Sequence, residues 1–517
     1  MSIVTASPLT AAQNLSLPLC NGSMTKHHSP VMQNAKPTNR KIDSILKVSG
    51  TDIVDGNGHK VVLKGAGLGG HLNMENFITG FSGHEHEHRA ALLSVLGPQK
   101  YRFFFDKFLE YFFTSSDAKF FASLGVNCIR VPFNYRHFED DMNPGVYKKE
   151  GFQLLDRIVS ICSEQNLYVI LDLHAVPGGQ NQDWHSDSGS SKAMFWNFKE
   201  FQDRMVNLWV ALAKHYKGNA FIAGYNPLNE PADPDHVNLI NFYYRVEKAI
   251  REVDPDHVLF IDGNTYAMDF SQFPAEPFPN TVYACHDYSM MGFPIGDPYL
   301  GTSAQKKKLR ESFERKVAFM RKQKVPIWNG EFGPVYASAT DDVNFQQTNS
   351  QRFALLQEQL SIYQESDISW SIWLYKDIGY QGMVYVSPSS PYMQLIAPFL
   401  EKKKALDLDF WGCSDSKVAH IYEPFLAALK EMVPKHLRDK KYPNVWTFER
   451  QVERRVRECL LSEYMGWEMA ELFSGKTEEE LDELAGSFKF ENCVLRDELN
   501  GILQTDARLG DDVGVEI

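Results

Sequence analysis

The chain has no apolar run near the roughly 20 residues that a membrane helix requires, so no bilayer span is expected. CxxC pairs are missing as well. The seven cysteines (Cys20, Cys128, Cys162, Cys285, Cys413, Cys459 and Cys493) are scattered, and several sit inside apolar runs as small core residues do. That spacing suggests neither a zinc site nor a disulfide framework, and an odd thiol count suits a reducing compartment. A charged start followed by a continuous hydrophobic block is absent, so a cytoplasmic setting is expected over a secretory one. Residues 1–41 contain no Asp or Glu. An organelle transit peptide shares that composition, while a disordered tail over residues 1–44 is the simpler expectation. Excess positive charge is lacking too. A formal net charge of −13 repels phosphate backbones and anionic lipid, which argues against nucleic acid and leaves neutral substrates as the expected partners.

What is present is an ordinary globular composition, 43% hydrophobic and 23% charged over 517 residues, and one local device used twice. Phe221-Ile-Ala-Gly-Tyr-Asn-Pro-Leu-Asn-Glu-Pro231 runs a short apolar strand into an Asn-Glu pair, and Pro231, which cannot donate to a sheet ladder, marks the change to loop. Val325-Pro-Ile-Trp-Asn-Gly-Glu-Phe-Gly-Pro334 delivers Glu331 to a strand end in the same way. Six further strand signals lie at 61–67, 125–132, 167–174, 258–263, 281–288 and 368–375. Between them, helical spacing of apolar residues predicts helices over 198–216, 236–253, 303–324 and 349–365.

Eight strands alternating with helices predict an α/β fold, a (β/α)8 TIM barrel with its site on the face where the strands end. It is expected over residues 45–435, with a hairpin turning at Asp55-Gly-Asn-Gly58 plugging its base. The long excursion between Gly67 and Gly125 should form a lid or wall. Residues 436–517 read as a helical extension, with an amphipathic helix over 446–472 whose apolar positions include Val452, Val456, Leu460 and Met465. Capping the barrel is the simple reading of those helices, and binding a protein partner is the alternative. Two carboxylates presented by two strands suit glycoside hydrolysis: one acid protonates the leaving oxygen while the other attacks, or activates water at, the anomeric carbon.

The polar residues at strand ends are Arg130, His174, Asn229-Glu230-Pro231, His286-x-Tyr288, Glu331 and Trp373. In this order and register the chain resembles glycoside hydrolase family 5, the retaining barrel glycosidases, over roughly residues 47–377. Within it, Gly67-Leu-Gly-Gly-His-Leu-Asn-Met-Glu75 and Leu173-His-Ala-Val-Pro-Gly-Gly-Gln-Asn181 look most like the fungal exo-β-1,3-glucanase branch. The resemblance implies Glu331 as nucleophile and Glu230 as acid and base. It implies Arg130, His174, Asn229, His286, Tyr288 and Trp373 as substrate-site residues, and Glu75 as a carboxylate holding the terminal sugar's hydroxyls. Arg130 should keep Glu331 ionised, and Glu230 should have the higher pKa.

His71 and Asp187 stand where those glucanases carry tryptophan and asparagine, and both are expected to line the sugar pocket. The function implied is exo action on terminal β-glucosides or short β-glucans. Alternatives are an endo-β-glucanase or mannanase, a glycolipid β-glycosidase, and a sugar-binding pseudoenzyme, against which the retention of both carboxylates counts. No cofactor or metal is required. His84, His86 and His88 could meet a metal if extended, but a solvated loop is the simpler expectation, as solvated faces are for Lys402–404 and Glu478–480.

Overall fold

Strands buried on both faces and helices buried on one can satisfy each other by wrapping a parallel sheet until it closes. The computed structural model describes residues 40–340, 342–408, 415–441 and 447–509, and shows such a closed barrel of eight parallel strands. They are β1 (Lys64–Gly67), β2 (Cys128–Asn134), β3 (Tyr168–Ala175), β4 (Ile222–Asn226), β5 (Val258–Asp262), β6 (Thr281–His286), β7 (Ile327–Glu331) and β8 (Ser369–Ile372). Closure is made where Trp370 of β8 lies opposite Lys64 of β1. The expected helices are present at Lys199–Tyr216, Val237–Val253, Ser303–Gln323 and Phe345–Gln364, the last starting a turn earlier than its apolar spacing suggested.

Below the barrel, Lys47–Ser49 pairs antiparallel with Asp52–Val54. The turn of that hairpin is at Gly50-Thr51, with Gly50 at φ 61°, and not at Asp55-Gly-Asn-Gly58, which instead closes a single bridge between Val54 and Lys60. Leu46 and Ile53 join Leu63, Phe260 and Trp328 in the apolar cluster at the barrel's base. Ile42 belongs to the same cluster and its N–H donates to Asn166, so ordered chain reaches back into the segment expected as a tail. Residues 1–39 lie outside the described residues.

The excursion after β1 is a wall of three helices, α1 (Asn76–Thr79), α2 (Glu85–Phe112) and α3 (Ser115–Leu124). A kink at Gly97, just before Pro98, bends α2. The His84–His88 run is not a solvated loop. It opens α2, where helical periodicity separates rings that an extended segment would align. His86 pairs with Asp187 at 2.7 Å, His88 stacks on Phe81, and Glu85 is buried against Arg89. Lys403 likewise departs from expectation. Its Nζ is buried and donates to the carbonyl oxygens of Phe81 and Asn76, tying the wall to the helix Pro391–Ala405. The region 398–429 is two helices, Pro391–Ala405 and Ala419–Met432, with residues 409–414 outside the described residues.

No boundary near residue 435 divides the described chain, which forms one compact unit. After the barrel, Lys376–Asp377, Val384–Val386 and the late strand Cys493–Leu495 make a small sheet. The terminal helix Asp497–Arg508 brings Asp506 to the Trp370 indole N–H and to Lys64. Lys376 shows how tightly wall, barrel and terminus are joined. Fully buried, it pairs with Asp117 of α3 at 2.7 Å and donates to the carbonyl oxygens of Phe112 and Phe488. Lys376→Met removes the cation and leaves the Asp117 carboxylate, still hydrogen-bonded by Tyr375 and Thr114, buried without a counter-charge, a change that costs about 3–5 kcal/mol. Urea denaturation of the full chain checks this, and a loss below about 1 kcal/mol would show that the three elements are held by other means.

Candidate active site

A barrel strand points alternate residues inward, and those at its C-terminal end face one another across the mouth. Arg130 sits third in β2, inside the strand and not after it, completely buried one layer below that mouth. Its guanidinium donates to Glu331 Oε1, to Asn229 Oδ1 at 2.6 Å and to Asn226 Oδ1 at 3.2 Å, and lies 3.1 Å from Asp172. Glu331 ends β7 and accepts a second hydrogen bond from the Tyr288 hydroxyl, 2.9 Å, on its other oxygen.

Pro227 stops β4 at Asn226, so Asn229 and Glu230 lie on the loop that follows. Glu230 has φ 45°, a left-handed conformation that costs a glutamate energy and here turns it to the mouth. Its backbone N–H donates to Asp262 at the end of β5. His286, last in β6, lies with Nδ1 2.7 Å from Glu230 and 3.7 Å from Glu331. Oxygens of the two glutamates and a His286 nitrogen all lie within 4.8 Å of one another. A cation could in principle be held there, but the Arg130 guanidinium already occupies one Glu331 oxygen. The two carboxylates thus stand side by side, as a pair acting on one bond must.

The remaining expected residues converge on the same place. His174 is oriented by Asp172, 2.8 Å from Nδ1, and stacks on Trp373 at 5.3 Å with the rings parallel. Trp373 follows β8 directly, whereas Trp370 packs outward against Phe332. A Cβ on Gly67 or Gly69 would come within 2.8 Å of the Trp373 ring, which is why the first strand ends in small residues. Glu75, at the start of α1, reaches 3.8 Å from His174, and is hydrogen-bonded by Trp184.

One expected pocket residue is elsewhere. His71 is buried under the wall, stacked on Phe112 and bonded to the Leu109 carbonyl, and burial takes its pKa down to about 3. Asp187 is at the rim of the wall, tied to His86, Arg136 and Asn134. Residues that the motifs did not single out complete the site: Asp172, Asn226, Asp262, Trp184, and His185, 3.4 Å from Glu230. Inward alternation could have found Asp172, two positions before His174 on one strand face.

A match to the family model for cellulase, glycosyl hydrolase family 5, covers residues 102–379. The chain belongs to glycosyl hydrolase family 5. It is therefore a retaining glycoside hydrolase. A protein of Phanerodontia chrysosporium described as a beta-xylosidase is 55% identical over 90% of this chain and 98% of its own length. A probable glucan 1,3-beta-glucosidase A of Aspergillus clavatus is 28% identical over 48% of this chain and 60% of that protein. Among solved structures, an endogalactoceramidase shares 16% identity over 65% of this chain and 75% of that one, with a TM-score of 0.49.

The electrostatics of this family 5 site separate its two central carboxylates. Burial raises Glu230 well above the usual carboxylate value, and the nearby Asp183 and Asp262 raise it further. Burial also raises Glu331, but His286 and Arg130 oppose the rise. Arg130 thus limits the upward shift of Glu331 without carrying it below the normal range. Burial lowers His286, while Glu331 and Asp262 oppose that shift. Glu75 departs from expectation: burial, and then Glu331 and Glu230, hold its proton on well above the usual value. Carboxyl-labelled NMR titration should show Glu230 losing its proton at higher pH than Glu331, and Arg130→Gln should move Glu331 upward. The reverse order would overturn this electrostatic assignment.

Proposed function

We propose that the protein removes one terminal β-linked sugar at a time, with Glu331 as nucleophile and Glu230 as acid and then base. The observation that carries the reading is the unequal pair at the barrel mouth. Glu331 is held by Arg130 and Tyr288 as an attacking carboxylate, and Glu230, close by beside His286 and with burial raising its pKa, is suited to give a proton away. Attack at the anomeric carbon forms a glycosyl ester on Glu331 while the Glu230 proton passes to the departing oxygen. Water, deprotonated by Glu230, then opens the ester, and two inversions give retention. Asn229, which accepts from Arg130, is placed to meet the sugar's 2-hydroxyl, and Trp373 forms an apolar floor.

Exo action is supported by the wall after β1, which brings buried Glu75 and Phe77 against Trp184 and Trp373 and narrows one end of the mouth. Glu75, as a neutral acid, can both donate to and accept from adjacent hydroxyls of a terminal ring. β-Glucosides and, from the description of the Phanerodontia protein, β-xylosides are the substrates we propose. A cytoplasmic setting is proposed with them, supported by buried free thiols at Cys128, Cys162 and Cys285.

Variant kinetics, product analysis and pH profiles test this reading. Glu331→Ala should be almost inactive and be rescued by azide to give an α-glycosyl azide, since the small anion enters from the vacated side. Glu230→Ala should keep activity on aryl glycosides with good leaving groups, with azide giving the β-product. Exchanged behaviour would exchange the roles. Glu75→Ala should lower kcat/KM on terminal β-glycosides about tenfold, the scale of one hydrogen bond. With reduced oligosaccharides, monosaccharide should appear first, and early di- or trisaccharide would show an open cleft. Finally, kcat/KM should fall as pH drops through the Glu331 pKa, which leaves the nucleophile protonated. It should fall again as pH rises through the higher Glu230 pKa, which removes the acid. A proton-NMR time course giving the α-anomer first would sink the double displacement.

A further inference from the structure

In the helical segment from Phe448 to Glu471, Met465, Met469 and Ala470 face the core as an amphipathic helix requires, but the stretch from Arg454 to Leu461 is packed the other way round. Val456 and Leu460, the apolar positions that its sequence offers to a core, are 42% and 57% exposed, whereas Arg454, Arg457 and Glu458 are buried. Burying charge in preference to available apolar side chains is costly unless the charges are bound where they point. Arg454 points at the loop after β3. Its guanidinium pairs with Asp183, lies 4.7 Å over the Trp184 ring, and is held from its own helix by Glu458 at 2.9 Å. A π-helical stretch, Arg455–Leu461, follows directly, and within it Cys459 Sγ meets Ser191 Oγ at 3.0 Å. The helix therefore grips the loop at both ends, Asp183 and Ser191.

Between those ends, and just before them at Asn181, lie the groups that touch the catalytic centre. Trp184 hydrogen-bonds Glu75 and packs with Phe77 and Trp373. His185 lies 3.4 Å from Glu230. Asn181, whose carbonyl group caps the Asp183 N–H, donates to the Glu230 carbonyl oxygen at 2.9 Å and to His185. Tyr266 also reaches Asp183.

We propose that Arg454 is a positioning residue for the reaction: from outside the barrel it fixes the Asp183–His185 turn, shaping the sugar pocket and balancing the charge that faces Glu230. This rests on Glu230 being the acid. The groups facing that carboxyl are Arg130 from β2, Asp172 from β3, Asp262 from β5, His286 from β6, Glu331 from β7, and Asp183 with His185 from the loop; Glu75 lies across the pocket. Arg454, with Arg450, keeps Asp183 ionised although it is buried. The Asp183 charge in turn stabilises the proton on Glu230.

The signs follow. Arg454→Ala leaves Arg450 to keep Asp183 ionised but takes away the nearer compensating cation, so the alkaline limb of kcat/KM should move up. Asp183→Asn removes that charge at constant shape, so the limb should move down, by about half a unit or more in each case. Arg454→Lys keeps the charge but loses the fork and the flat contact with Trp184, so the limb should stay while KM for the terminal glycoside rises several-fold. A merely structural role would lower activity uniformly with no opposite shifts. Coincident limbs in all variants, or equal shifts of the same sign, would overturn the proposal, and Asp183→Asn decides it even if Arg454→Ala fails to fold. Glu230→Gln is the control: its alkaline limb should vanish, and a limb that persists would overturn the assignment of Glu230 itself, whatever Arg454 does.

Discussion

A guanidinium with no access to water constrains its surroundings to supply acceptors, because it cannot shed its proton, and in this chain Arg130 finds them at both Nη atoms while its Nε has none among the described residues. Arg130 imposes that constraint on this barrel. Its ligands come from β3, β7 and the end of β4 with its following loop, so satisfying one side chain fixes the relative heights of four strands at the mouth. One Asp172 oxygen, Oδ2, both lies against Arg130 and orients His174, which stacks on Trp373. The aromatic floor is in that sense also set by Arg130.

The same charge makes the two glutamates unequal. Both are buried, and burial alone would protonate both. Arg130 and His286 stabilise the ionised form of Glu331, while Glu230 faces Asp183 and Asp262. Asymmetry of this kind is what acid and nucleophile chemistry requires of two identical side chains. The wall after β1 and the C-terminal helices contribute by excluding water, and Lys376 and Lys403 lock those additions to the barrel by collecting carbonyl oxygens that would otherwise be buried without donors.

Sequence pattern carried the barrel well because strand alternation and helix periodicity are local signals. Glu230, Glu331, His286 and Tyr288 were legible for the same reason: each stands where an apolar run ends, and chain punctuation by proline and glycine marks that end. Asp172 and Asp262 were overlooked because an acidic residue inside a strand gives no local sign that an arginine from another strand will meet it. The His84–His88 run was misjudged because period-two spacing suggests an extended segment, while the hydrogen bond to Asp187, one hundred residues away, selects the helix start.

The amino-acid sequence by itself therefore determined the strand order, the two carboxylates and the family of chemistry, since these depend on residue type and short-range spacing. Only the tertiary structure decided how burial and neighbouring charges shift Glu230, Glu331 and Glu75, and which face of the helix around Arg454 is buried. Those properties depend on desolvation and on charges brought together from distant parts of the chain. Val456 and Leu460 offered an apolar face, and Asp183 drew the opposite one inward.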